Sequence, residues 1–140
     1  CFSKTSRINF ECADITQYAF GRQDSIIMAD MLHYLKPDDQ QALIRKCIGS
    51  LNEGGVLIIR DGDAEKQEKH KKTVWTEIWS TRILKFNKTV EELTFLSGSM
   101  VRSIAAEYGM DCREIDNDRS TSNVVFVLKR KEGKNEGVNE

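Results

Sequence analysis

The residues best equipped for chemistry crowd into one turn, Ala29-Asp30-Met31-Leu32-His33-Tyr34, directly after the apolar run Ile26-Ile27-Met28. A carboxylate, an imidazole that titrates near neutrality and a phenol are groups that hydrogen-bond a polar ligand and exchange protons with it. The four β-compatible residues from Ile26 to Ala29, with no polar alternation, predict a strand buried on both faces, as in a parallel sheet flanked by helices; a run this short also fits a helix. Lys36-Pro37-Asp38-Asp39 decides for the strand, since Pro37 forbids a continuous helix and an aspartate is available to cap a new one. Ligands of open α/β sheets bind beyond the carboxyl ends of the strands, so Ala29 to Tyr34 should line a pocket.

Other elements must hold that turn in place. Ile8-Asn9-Phe10-Glu11-Cys12-Ala13 alternates apolar and polar residues and predicts a strand closed by Asp14. Ile15 to Arg22 predicts a short helix or turn. From Asp38 to Asn52, Ala42, Leu43, Ile44, Cys47, Ile48 and Leu51 recur at helical spacing, and Gly54-Gly55 is expected to stop that helix. Val56 to Ile59 is a second uninterrupted apolar strand, ending in Arg60-Asp61-Gly62-Asp63. Strand, helix and strand at this spacing predict a parallel crossover.

Downstream, Ala64 to Thr73 alternates lysine and glutamate, as a solvated helix or loop does, or an active-site lid. Val74 to Phe86 is amphipathic, with Trp75 and Trp79 one helical turn apart. A helix is predicted from Gly98 to Tyr108, with Gly109 as its stop. Met110 to Ile115 and Val124 to Leu128, on either side of a turn-rich stretch, predict an antiparallel pair. Residues 1–131 form one domain by this pattern, and the charged, glycine-containing residues 132–140 are expected to be a disordered tail.

With 39% hydrophobic residues among 140, the chain can bury a real core. Its 21 basic and 22 acidic residues give a net charge of −1, so no overall field favours nucleic acid or an anionic membrane. No apolar run reaches the roughly 20 residues that span a bilayer, and no signal-peptide pattern opens the chain; a cytoplasmic protein is expected. Cys1, Cys12, Cys47 and Cys112 are scattered, with no CxxC or Cys/His cluster, which makes no case for a metal site. Reduced thiols fit better than a disulfide framework, which belongs to denser, secreted domains.

In this order, several local patterns resemble the class I S-adenosylmethionine-dependent methyltransferases, from their third strand to their seventh. Asp24-x-Ile-Ile-x-Ala-Asp-Met-Leu-His-Tyr-Leu is similar to the family's fourth-strand motif. Leu51-Asn52-Glu53-Gly54-Gly55-Val56-Leu57 is similar to its turn into strand five, and Phe95-Leu96-Ser97 through Gly109-Met110 to its final helix before a terminal hairpin. The resemblance implies a Rossmann-like α/β sheet, truncated, mostly parallel, with a C-terminal antiparallel strand. The family's glycine-rich loop after strand one has no counterpart among the nine glycines. A truncated methyltransferase is therefore implied, lacking the two strands that lie between strands three and four. The edges so exposed invite association, rearrangement or completion by a longer chain.

The resemblance also implies roles. Asp14 matches the position whose carboxylate takes the adenine amino group, with the Ile15 amide meeting the ring; an ordinary turn aspartate is the alternative. Ala29, Asp30 and Met31 match the stretch facing the amino-acid end and sulfonium of S-adenosylmethionine, or they cap the core. His33 matches a histidine that some small-molecule methyltransferases use as general base, and its alternative is a structural hydrogen bond. Tyr34, Trp75 and Trp79 would roof an apolar or aromatic acceptor, or pack in the core. His70 is a surface or lid residue, and Arg60-Asp61 either touches substrate or forms a salt bridge.

Methyl transfer to a small-molecule acceptor in the full-length parent is the activity implied, this chain being inactive alone, with a homo-oligomer through the open edges as one outcome. A non-catalytic Rossmann-like binding or regulatory module is the alternative, and a nicotinamide-dependent oxidoreductase fragment fits the terminal elements less well.

Overall fold

In a computed structural model, residues 7–64, 94–116 and 123–131 are described. They form a four-stranded sheet, β1 (Gln23–Ala29), β2 (Leu51–Gly62), β3 (Met110–Ile115) and β4 (Asn123–Arg130), in the order β1-β2-β4-β3. β1 and β2 are parallel, joined by helix α1 (Pro37–Ser50), whereas β4 runs antiparallel to both β2 and β3. Helix α2 (Gly98–Glu107) precedes β3. The expected α/β architecture is thus present, including the terminal antiparallel pair.

Both helices cover one face of the sheet. Leu43, Ile44, Cys47 and Ile48 of α1 and Val101, Ile104 and Ala105 of α2 share a buried cluster with Ile26, Met28, Leu57, Ile59, Val124, Phe126 and Leu128. These strand positions alternate, so every second side chain enters the core. Pro37 occupies the first turn of α1, where its missing N–H costs nothing. The expected aspartate cap is absent: Lys36 holds the cap position without a side-chain bond, and Asp38 and Asp39 lie in the first turn, where they offset the helix dipole. At α2 the cap is Ser97, whose side chain accepts from Met100 N, and Gly109 follows the helix at φ 63°.

Three expectations are corrected. Ile8–Ala13 forms no strand; Ile8 and Phe10 are 62% and 81% exposed, and β1 pairs with β2 alone. Period-two alternation needs a neighbouring strand to become a ladder, and none adjoins this segment among the described residues. Among the described residues the parallel part of the sheet is therefore two strands wide. Next, β1 is buried on one face and not on both: Ile26 and Met28 point inward while Ile27 is 68% exposed. Finally, Gly54-Gly55 does not end α1, which stops at Ser50 and passes at once into β2. The pair instead lies where the register with β1 jumps, from Gln23↔Leu51 to Ser25↔Val56. Gly54 is at φ 70°, and a Cβ on Gly55 would fall 2.8 Å from the Asn52 carbonyl oxygen, so the bulge requires both.

Candidate active site at the strand ends

β1 and β2 end side by side, and the chain turns sharply at each tip. At the first, Asp30 adopts φ 52°, a left-handed conformation that aspartate enters more readily than most residues with a Cβ. Its N–H donates to the Arg60 carbonyl at 2.8 Å, extending the ladder one step, and its carboxylate pairs with the Arg60 guanidinium. A single 3-10 turn, Leu32–Tyr34, follows.

That turn is bolted to β2 by Asp61, which is 1% exposed. One carboxylate oxygen accepts from His33 Nδ1 at 2.7 Å and from Gly62 N at 2.8 Å; the other accepts from Leu32 N at 2.8 Å. With a carboxylate on Nδ1, that nitrogen carries the proton, and the basic lone pair of the neutral ring lies on Nε2. His33 itself is 1% exposed and packs on Tyr34, with ring centroids 4.1 Å apart, and on Phe95. Gln40 of α1, also buried, donates through Nε2 to the carbonyls of Leu32, Leu35 and Thr94. Thr94 N in turn donates to the His33 carbonyl at 3.1 Å. Ring, main chain and neighbours of His33 are thus all fixed.

A second buried carboxylate, Asp63, stands just past the end of β2. It accepts from Gly98 N at 3.4 Å at the start of α2, and Ala64 N donates to the Leu96 carbonyl at 2.9 Å beside it. A Cβ on Gly98 would meet Asp63 Oδ2 at 2.9 Å, so glycine is what lets α2 approach the carboxylate.

The sequence candidates distribute unevenly over this frame. His33 and Tyr34 are brought into contact, with Ala29, Asp30 and Met31 leading into them at the tip of β1. Ala29 is exposed and Met31 half-buried against the core. Asp14 and Ile15 lie in a separate turn: Asp14 Oδ1 accepts from the amide and hydroxyl of Thr16, which lowers the aspartate pKa, and Lys46 of α1 donates to the Thr16 carbonyl. Between this turn and α1 lies a groove of about 150 Å³ lined by Thr16, Gln17, Asp39, Ala42, Leu43 and Lys46. Small-molecule sites usually measure about 300–1,000 Å³, so this groove alone encloses no cofactor-sized ligand. Trp75, Trp79 and His70 lie outside the described residues. Among the described residues no three potential metal ligands gather, and no helix is long and apolar enough to cross a membrane. Reasoning from the sequence paired Asp61 with Arg60 as a substrate contact or salt bridge and passed over Gln40 and Asp63. The polar tail of an otherwise apolar strand, Asp61-Gly62-Asp63, was the available signal, because carboxylates at a buried strand end must find donors.

No protein-family model matches the chain. It is 34% identical over 65 residues to a carboxy-S-adenosyl-L-methionine synthase from Helicobacter hepaticus, a match covering 46% of this chain and 26% of the synthase. Among solved structures it is similar to an O-methyltransferase family protein from Burkholderia thailandensis, with TM-score 0.62, 16% identity and 89% of this chain against 36% of that one. Human N-acetylserotonin methyltransferase in complex with S-adenosylmethionine gives TM-score 0.63 at 16% identity, over 92% of this chain and 35% of that one. The N-methyltransferase NodS from Bradyrhizobium japonicum, solved with S-adenosylhomocysteine, gives TM-score 0.55 at 14% identity, over 86% and 53%. The chain thus spans about a quarter of the curated relative and a third to a half of these structures.

Proposed function

We propose that the full-length protein, whose chain here has the class I S-adenosylmethionine-dependent methyltransferase fold, transfers a methyl group from S-adenosylmethionine to a small-molecule acceptor. The observation that carries this reading is the buried Asp61–His33 pair at the adjoining carboxyl ends of two parallel strands. Bound S-adenosylmethionine would supply a sulfonium methyl open to in-line displacement by an acceptor atom.

The residues present fit the adenosyl side of that group. Asp14 has one oxygen fixed by Thr16, while Oδ2 has no donor among the described residues, as an acceptor for an exocyclic amine requires. Ile15 is half-buried beside it, and the small, exposed Ala29 lets a ligand approach the end of β1 closely. His33 serves as general base, its tautomer set by Asp61, and Tyr34 covers the acceptor side. Positioning alone can contribute about 7–11 kcal/mol to such a transfer, so few catalytic groups are needed. A cytoplasmic location, an acceptor other than nucleic acid, and inactivity of the 140-residue chain by itself belong to the same proposal.

A second reading, a non-catalytic binding module, draws on the 1% exposure of His33, which suits a structural histidine. Calorimetry separates the cofactor reading from its absence: S-adenosylhomocysteine should bind the full-length protein, and no heat at saturating ligand would refute the proposal. Asp61→Asn then decides between base and strut. A base role requires the pH–rate profile to shift with ligand affinity retained, whereas a strut leaves the profile in place.

A further inference from the structure

We propose that Gln40 is a positioning residue for His33, its carboxamide setting the direction in which the imidazole points; the assignment rests on the base role proposed above for His33 and extends it to α1. Gln40 lies in the run Asp38-Asp39-Gln40-Gln41 near the start of α1, where polar residues ordinarily face water, yet it is 1% exposed. Its Nε2 donates to the Leu32 carbonyl at 2.9 Å, to that of Leu35 at 3.2 Å and to that of Thr94 at 2.7 Å. Two amide protons thus serve three acceptors, so one proton is shared.

These contacts complement those of Asp61. A carboxylate only accepts and an amide nitrogen only donates, so the two side chains take opposite halves of the turn's main chain. Asp61 accepts from Leu32 N, and Gln40 donates to the Leu32 carbonyl. The His33 carbonyl accepts from Thr94 N, and the Thr94 carbonyl is in turn held by Gln40. The peptide groups before and after His33 are therefore fixed, one by Gln40 directly and the other through Thr94. With Nδ1 tied to Asp61, the line along which Nε2 points follows from where this main chain sits. The other inward residues of α1, Leu43, Ile44, Cys47 and Ile48, are apolar, and glutamine gives up more rotamer freedom on burial than they do. What Gln40 adds to that face is donors at this one turn.

The test uses the full-length protein with 15N-labelled histidine, the His33 ring signals being those lost in His33→Gln. In the wild type, the bond to Asp61 should hold the ring in the Nδ1–H tautomer, with its two 15N shifts far apart. Gln40→Met keeps the length of the side chain and removes both donors. In that variant the ratio of Nδ1–H to Nε2–H tautomer should fall about tenfold or more, the scale of one lost buried hydrogen bond, and the two shifts should draw together. A glutamine that only stabilises the fold would lower the urea midpoint and leave the ring shifts of the folded variant where they were, which would overturn the proposal. Should Gln40→Met not fold, Gln40→Asn, whose amide falls one methylene short, is read in the same way; if neither variant folds, Gln40 is structural alone and the proposal falls. Calorimetry of the wild type with S-adenosylhomocysteine separates the two levels of the argument. If no heat appears, the methyltransferase reading falls and takes the positioning role with it; if the ligand binds and the His33 shifts are unmoved in a folded variant, only the assignment of Gln40 falls.

Discussion

Arg60 and Asp61 are adjacent in one strand and meet opposite fates. Asp61 faces the helices, is 1% exposed and gathers three N–H donors; Arg60 faces away, keeps 47% of its side chain in solvent and meets one carboxylate. Burial raises the stakes of every polar contact, because a buried group that loses its partners has no water to fall back on. The two faces of the sheet should therefore differ in how strongly a substitution is felt, much on the inner face and little on the outer.

The sharpest break comes from substituting each neighbour in turn. Asp61→Ala strands Leu32 N, Gly62 N and the His33 ring in a dry site and should cost about 3–5 kcal/mol in urea unfolding, as removal of one member of a buried pair does. Arg60→Ala should cost under about 1 kcal/mol, the range of exposed ion pairs. Similar costs at the two positions would show that the faces are not distinct.

The same contrast explains what was legible in the residues. Local signals held: the apolar runs of β1 and β2, the helical spacing of Leu43, Ile44, Cys47 and Ile48, and Gly109 after α2 all describe one element at a time. One local signal misled, Gly54-Gly55, which serves a bulge in β2 and not a helix end; the other failures depended on neighbours. Ile8–Ala13 alternates correctly yet has no strand beside it, and Ile27 sits in a fully apolar run yet is 68% exposed, since a sequence pattern cannot say whether a second layer is present. At the site, His33 and Tyr34 were visible because they are contiguous. Its partner Asp61 lies 28 residues away, and Gln40 gave no sign that its amide would bind three carbonyls, a matter of tertiary geometry.

A smaller effect distinguishes the thiols. Burial raises the Cys47 pKa from 9.0 to about 11, so the folded state favours the neutral thiol. The stability this gives is complete below pH 9 and is lost as the pH rises through 11, and Cys47→Ala should abolish that alkaline loss in unfolding titrations. At neutral pH exposed Cys12 should react with a thiol reagent while Cys47 stays inert until the protein unfolds. Rapid modification of Cys47 in the native protein would mean that the inner face opens more readily than its packing indicates.

The smallest expected effect tests the outer face. Ile27 shares its row with Ile58 and Val127, both half-buried, so the face is apolar although β1 leaves its own residue in solvent. With 68% of Ile27 exposed, Ile27→Ser removes little buried area and should change stability by no more than about 0.5 kcal/mol, as surface substitutions do. The measurement needs both the 140-residue chain and the full-length protein, read as the urea midpoint with the slope unchanged. A negligible cost in both leaves the face open to solvent, as the comparison requires. A cost above about 1 kcal/mol would mean the side chain is buried in solution, because only lost apolar burial makes an isoleucine on a strand that expensive. Were that cost confined to the full-length protein, further chain would be what covers β1. Were it present in the 140-residue chain and dependent on concentration, a second copy would be covering it through the open edge.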